Sequence, residues 1–217
     1  MKQRSPMVFI VDDDEAVRNS LRLLVKSIGL TASVSGSAQD FLATYDPVQP
    51  GCLVLDVRMP GMSGLELQQQ LNLRGAVIPV IFITGHGDIP MAVDAMQQGA
   101  FDFLQKPFRD QDLIDRIQRA LEADRTSRAE LGERSGIRER RDSLTPRERE
   151  VLALVTSGKP NKVMAADLGL SQRTVEIHRA RVMEKMGASS LAQLVRMVLN
   201  LEESAASHTT REPGPPS

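Results

Sequence analysis

Four short apolar runs punctuate the first half of the chain: Val8-Phe9-Ile10-Val11, Cys52-Leu53-Val54-Leu55, Val80-Ile81-Phe82-Ile83 and Phe103-Leu104. Each is continuous rather than alternating, the pattern of strands buried on both faces of a parallel sheet. Amphipathic stretches lie between them. Val17, Leu21, Leu24 and Ile28 share one face of a predicted helix from Glu15 to Ile28, stopped by Gly29. Ser37, with Asp40 three residues on, starts a short helix through Phe41 and Leu42. Ser63 starts another that carries Leu65, Leu67 and Leu71. Asp88 precedes a helix with Ala92, Val93 and Met96, ended by Gly99, and Asp110 caps a fifth with Leu113, Ile117 and Leu121. Five strand–helix units predict an α/β, doubly wound parallel sheet over residues 1–121.

The pattern then changes. Residues 122–142 carry many charges of both signs and few apolar side chains. They read as a linker that extends the fifth helix until Gly132 and Gly136 break it. Leu144-Thr145-Pro146-Arg147-Glu148 is a helix start, with Thr145 as N-cap, Pro146 at N1 and Glu148 completing a capping box. Residues 143–203 predict an all-α second domain. Within it Gly169 falls where a tight turn between two helices needs it, Ala165 lets them approach, and Ser171 caps the second. Val175, Val182 and Met186 form that helix's inner stripe, leaving Arg173, Glu176, Ile177, Ala180 and Arg181 outward. Such a face suits a recognition helix in a DNA major groove. The alternative is a helical dimerisation domain with a solvated face. A last helix, Ser190 to Leu201, carries Leu194, Met197 and Val198 toward the core or a dimer contact. The tail 204–217, with Pro213-Gly214-Pro215-Pro216, reads as disordered.

Charge sharpens this division. The whole chain is at −1, which says nothing of nucleic acid. Eleven basic against fourteen acidic residues leave residues 1–121 at −3, while nine against five put residues 143–200 at +4. An acidic cation site followed by a module that meets phosphates fits that split. Cys52 is the single cysteine, so no intramolecular disulfide and no thiolate zinc cluster exist, and its apolar run marks it as core. The run Met7–Val11 is too short for a signal-peptide core or a membrane span, so a soluble, cytoplasmic protein with no membrane partner is expected.

Candidate chemistry gathers at strand ends. Asp12-Asp13-Asp14 follow the first run, Asp56 ends the second, Thr84 ends the third, and Lys106-Pro107 follow the fourth. In an open parallel sheet the strand carboxyl ends converge on one edge, where ligands bind. Singly, each residue has a plain reading: Asp12 and Asp13 as acids at a helix start, Asp56 as a turn residue, Phe103 as core. Jointly they suit phosphoryl transfer to Asp56. Carboxylates are what Mg²⁺ demands, and a carboxylate nucleophile forms an aspartyl-phosphate. Metal and ammonium neutralise the transferred group, and a threonine hydroxyl hydrogen-bonds a phosphoryl oxygen.

Residues 7–121 resemble the receiver domain of bacterial two-component response regulators. The likeness rests on Val-Asp-Asp-Asp at 11–14, Asp-Val-Arg-Met-Pro-Gly-Met-Ser-Gly at 56–64, Thr-Gly-His-Gly at 84–87 and Lys-Pro at 106–107. Residues 144–199 resemble the LuxR-type helix-turn-helix of the NarL/FixJ family, chiefly through Leu-Thr-Pro-Arg-Glu-Arg-Glu-Val-Leu and Thr-Val-Glu-Ile-His. The whole chain looks FixJ-like. The resemblance implies a flavodoxin-like receiver in which Asp56 accepts a phosphoryl group from a sensor histidine kinase. It implies Mg²⁺ on Asp13, Asp56 and the Arg58 carbonyl, with Asp12 acting through water. Lys106 contacts the phosphoryl group, across a cis peptide to Pro107. Thr84 and Phe103 form the switch pair, with Phe103 lacking the hydroxyl that many receivers carry there. His86 reads as a solvated loop residue, with crowding of the attacking water as the alternative. In the second domain Glu176, Ile177 and Ala180 become base readers, and Lys162, Arg173, Thr174, Arg179 and Arg181 phosphate contacts. His178 is open between packing and contact. The implied partners are promoter DNA, a second copy of the chain on phosphorylation, and RNA polymerase.

Two rival readings carry their own signatures. A phosphohydrolase of the haloacid-dehalogenase kind wants a second Asp at position 58, which is Arg58. A P-loop ATPase needs a Gly-rich Lys-Ser/Thr loop, which is missing. The chain is therefore expected to be no enzyme beyond assisting the phosphorylation and dephosphorylation of its own Asp56. A phospho-independent DNA-binding regulator, with the receiver as a docking module, is the remaining alternative.

Overall fold

The computed structural model describes the backbone of residues 4–85 and 89–209. The chain forms two compact units, Met1–Ala129 and Glu130–Ser217. The first holds five parallel strands, β1 (Met7–Val11), β2 (Thr31–Ser35), β3 (Gly51–Asp56), β4 (Val80–Thr84) and β5 (Asp102–Gln105), in the order β2-β1-β3-β4-β5. Helices α1 (Glu15–Ser27), α2 (Ala38–Thr44), α3 (Gly64–Leu73), α4 (Ile89–Gln97) and α5 (Asp110–Asp142) alternate with them.

The apolar runs explain the layering. Side chains alternate across a strand, so a continuous run serves two cores at once. Phe9 and Val11, Leu53 and Leu55, and Val80 and Phe82 pack on one side with Phe41, Leu67, Leu71 and Ala95 of α2, α3 and α4. Val8 and Ile10, Cys52 and Val54, and Ile81 and Ile83 pack on the other with Leu21 and Val25 of α1 and Leu113, Ile117 and Ala120 of α5. Cys52 is buried as expected, and burial pushes its thiol pKa up. β2 sits at the edge and is only partly covered, so no strong run announced it. The strand order reverses direction between β1 and β3, and that crevice is where an open α/β sheet places its ligand site.

Two of the expected caps of the first unit are present, while Asp110, expected as a cap, is instead the first residue of α5. Ser37 accepts from the Asp40 amide, and Ser63 and Glu66 form a capping box at α3. Asp88 lies outside the described residues. The structure differs at α5, which runs unbroken through Gly132 and Gly136. A helix-interior glycine costs only about 1 kcal/mol against alanine, and packing overrides it. Ile137 is fully buried in the second unit's core, and Arg140 ties the Gly136 and Met186 carbonyls together.

The second unit continues with α6 (Pro146–Thr156), α7 (Asn161–Leu168), α8 (Gln172–Met186) and α9 (Leu191–Thr209). Thr145 and Glu148 make the expected capping box with Pro146 in the first turn of α6. Gly169 ends α7 in the left-handed conformation (φ 64°), where a β-carbon is strained, and Ser171 caps α8. Leu194, Met197 and Leu201 of α9 close a core with Val151, Val155, Met164, Val175, Val182 and Met186. α9 extends to Thr209, so residues 204–209, expected to belong to a disordered tail, are helical, and residues 210–217 lie outside the described residues.

Candidate phosphoryl site and nucleic-acid face

Asp12 leaves β1 and Asp56 ends β3, on neighbouring strands whose register pairs Val11 with Leu55. Lys106, just beyond β5, reaches back over both. Its Nζ donates to Asp12 Oδ2 at 2.9 Å and to Asp56 Oδ1 at 2.8 Å. The two carboxylates, 44 residues apart in sequence, thus share one ammonium. Asp12 is buried, and its Oδ1 accepts the Asp14 amide at 2.9 Å. Asp56 Oδ2 accepts the Arg58 amide at 2.8 Å. Asp13 is exposed at the same strand end.

The electrostatics are those of a partly desolvated cluster. Burial raises the Asp56 pKa, and the bond and charge of Lys106 pull against it. Burial alone would lower Lys106, but its bonds to Asp12 and Asp56 outweigh that and raise it. The ammonium is therefore charged at neutral pH.

Loop geometry fixes the constellation. A β-carbon on Gly64 would lie 2.2 Å from the Asp56 carbonyl oxygen, so the segment after Asp56 folds back only with glycine there. The Gly64 amide accordingly donates to the Val57 carbonyl at 3.0 Å. The Lys106 amide donates to the Thr84 carbonyl at 2.7 Å, and the Lys106–Pro107 peptide is cis. Thr84 is buried at the end of β4. Phe103, half-buried on β5, pairs with Phe82 in register, two positions back from Thr84. It lines an open apolar groove with Ala92, Val93, Met96, Gln97 and Asp102. His86 lies outside the described residues. Arg18 was not singled out in the sequence, yet it donates to the Asp12 carbonyl at 2.6 Å. Its helical spacing from Asp14 was the one available signal.

Among the described residues, no three His, Cys, Asp or Glu side chains close into a ready-made metal cluster, and no helix is long and apolar enough to cross a membrane.

On α8, Val175, Val182 and Met186 face inward, while Arg173, Glu176, Ile177, Ala180 and Arg181 are exposed. Thr174 and Arg179 are partly covered, and Lys162 on α7 is exposed. His178 is partly covered, and its Nδ1 is buried without a hydrogen-bond partner, which favours packing over contact. Glu148 does more than cap α6. Fully buried, it accepts from Lys185 Nζ at 2.7 Å and so ties α8 to α6.

A doubly wound sheet with paired acids and a lysine at its switch point, followed by a helix-turn-helix, defines a class. Residues 8–118 match the response regulator receiver domain, and residues 142–198 match the bacterial regulatory proteins of the luxR family. The chain belongs to the two-component response regulators of the NarL/FixJ type, transcription regulators that join a receiver to a LuxR-type DNA-binding domain. It is 49% identical to nodulation protein W of Bradyrhizobium diazoefficiens over 94% of this chain and 89% of that one. It is 50% identical to the transcriptional regulatory protein FixJ of Azorhizobium caulinodans, over 88% and 91%. Among solved structures, the response regulator StyR aligns with a TM-score of 0.82 at 46% identity, covering 89% of this chain and 98% of that one.

Proposed function

We propose that Asp56 is the phosphoacceptor through which a sensor histidine kinase controls promoter binding by this chain. The observation that carries the reading is the Lys106 ammonium shared by Asp12 and Asp56 at the β1/β3 crevice. An Asp56 oxygen attacks the phosphorus of a phosphohistidine, the nitrogen–phosphorus bond breaks, and the imidazole leaves with the bond's electron pair. Lys106, already against Asp56, offsets the charge that arrives with the phosphoryl group. Burial makes Asp56 a poorly solvated and hence more reactive carboxylate.

Mg²⁺ fits the donor set, which is all oxygen and holds two carboxylates against one ammonium. Asp13, Asp56 and the Arg58 carbonyl would hold it, with Asp12 acting through water. Bound there, it would neutralise phosphoryl oxygens. Thr84, through its hydroxyl, and Phe103, through ring packing, form the switch that responds to the phosphoryl group. The phosphorylated chain forms a homodimer and binds double-stranded promoter DNA. Glu176, Ile177 and Ala180 face bases, and Lys162, Arg173, Thr174, Arg179 and Arg181 face phosphates. RNA polymerase is the partner at the promoter, and the cytoplasm is the setting. Its catalytic role is confined to its own Asp56.

The test is labelling by a small phosphodonor with Mg²⁺. Wild type takes one phosphoryl group and Asp56→Asn takes none. Label that persists on the variant removes Asp56 from the role. Promoter activity that survives Asp56→Asn undiminished would make the receiver a docking module instead.

A further inference from the structure

Glu176 and Arg179 stand three residues apart on α8, close enough to pair directly. They do not pair, and one side chain of the preceding helix stands between them. Asn161, the first residue of α7, accepts a hydrogen bond at Oδ1 from Arg179 Nη1. Its Nδ2 donates to Glu176 Oε1 at 3.5 Å. The amide is divided by chemistry, acceptor end to the cation and donor end to the carboxylate. It is not spent on its own helix, since the α7 N-cap is Pro160, with no side-chain capping bond.

We propose that Asn161 is a specificity-positioning residue, which holds the Glu176 carboxylate aimed outward as a base acceptor and the Arg179 guanidinium apart from it. The inference rests on the reading of α8 as the DNA-contacting helix. Without Asn161, Glu176 and Arg179 collapse onto each other. The pair consumes the carboxylate that would accept from a cytosine amino group and turns the guanidinium away from the phosphates. With Asn161 in place, one Arg179 N–H is held and the others stay free for a phosphate.

Two substitutions separate the bonds. Asn161→Asp keeps the acceptor for Arg179 but sets a carboxylate against Glu176. Asn161→Ala removes both. Neither threatens the fold, since the site is at the open start of α7, where an acid is favoured by the helix dipole. The measurement is binding-site selection from random DNA with the full-length chain, for each variant alone and combined with Glu176→Ala. Asn161→Asp should lower discrimination at one base position by roughly tenfold, and that loss should vanish in the Glu176→Ala background. Asn161→Ala should show the same relaxed position and, in addition, weaker binding to every sequence. An unchanged preferred sequence for Asn161→Asp overturns the proposal, as does an equal change with and without Glu176. If Glu176→Ala alone leaves preference intact while DNA is still bound, base reading by Glu176 fails and Asn161 falls with it. If wild type selects no sequence, the DNA-contact reading itself has failed.

Discussion

Asp56, Lys106 and Glu148 show how one residue's meaning depends on what the fold brings to it. The acids at 12 and 56 and the lysine at 106 were legible because each follows an apolar run, and parallel strands deliver their carboxyl ends to one edge. The ammonium shared between Asp12 and Asp56 was not legible, because hydrogen bonding at that edge is set by loops such as the one Gly64 permits. Glu148 was legible only as half of a capping box. Burial against Lys185 gives it a second role, and that bond, with the Thr145 amide, pulls its pKa down to about 2. A depressed carboxylate stabilises the fold wherever it is ionised in the folded state. The contribution is full above the unfolded value of 4.5 and is lost as pH falls through about 2. Thermal unfolding of the second unit should therefore lose stability progressively across that window. Glu148→Gln should lower stability at neutral pH by roughly 1–3 kcal/mol and flatten the acid dependence. An acid profile equal to wild type would mean that Lys185 contributes nothing through this carboxylate.

α5 carries the sharpest difference between pattern and structure at the scale of elements. Gly132 and Gly136 were expected to break it, yet it runs to Asp142, and its charged part lacks an apolar stripe beyond Leu121. The hold on the sheet beyond that point is polar. Asp124 is fully buried, accepts the Gly51 amide at the start of β3 at 2.9 Å, and pairs with Arg128 at 2.8 Å. Arg128 in turn donates to the Pro47 and Gln49 carbonyls at 2.8 and 3.0 Å. One ion pair thus fastens the helix to the loop before β3, and period-based reading has no access to such a contact. α8 is the opposite case. Its inner stripe and outer face were fully legible, because apolar packing there follows the helical repeat. Removing one member of the α5 pair leaves the other buried without its counter-charge. Arg128→Met should destabilise the first unit by about 3 kcal/mol, reduced in so far as Arg128 reaches solvent. Amide exchange should rise first at residues 122–128. Exchange confined to the second unit would show that the clamp does not hold α5.

Switching on the scale of the whole molecule needs a surface that a phosphoryl group at Asp56 alters and that a second copy can cover. Thr84 and Phe103 lie on adjacent strands, and Phe103 opens onto the groove that α4 forms with β5. Val93 and Met96 on that groove are 50% and 47% exposed, which leaves apolar area for a partner to bury. If phosphorylation rearranges Thr84 and the Phe103 ring as proposed, the change would be felt there, because packed interiors shift between discrete arrangements. Phosphorylation should therefore raise self-association of a fragment spanning residues 1–129, a boundary that keeps the Asp124–Arg128 clamp intact. In the full chain, pairing makes the second half-site contact effectively intramolecular, so affinity for a two-half-site promoter should rise by roughly 10² or more, while affinity for a single half-site stays level. Val93→Asp should block both effects and leave labelling of Asp56 intact, since it sits on α4 rather than among the acids. Sedimentation of the fragment with phosphodonor and Mg²⁺, beside titration of the full chain on one and two half-sites, measures them together. A fragment that stays monomeric while the full chain still gains on two half-sites would place the origin of dimerisation outside the α4–β5 groove.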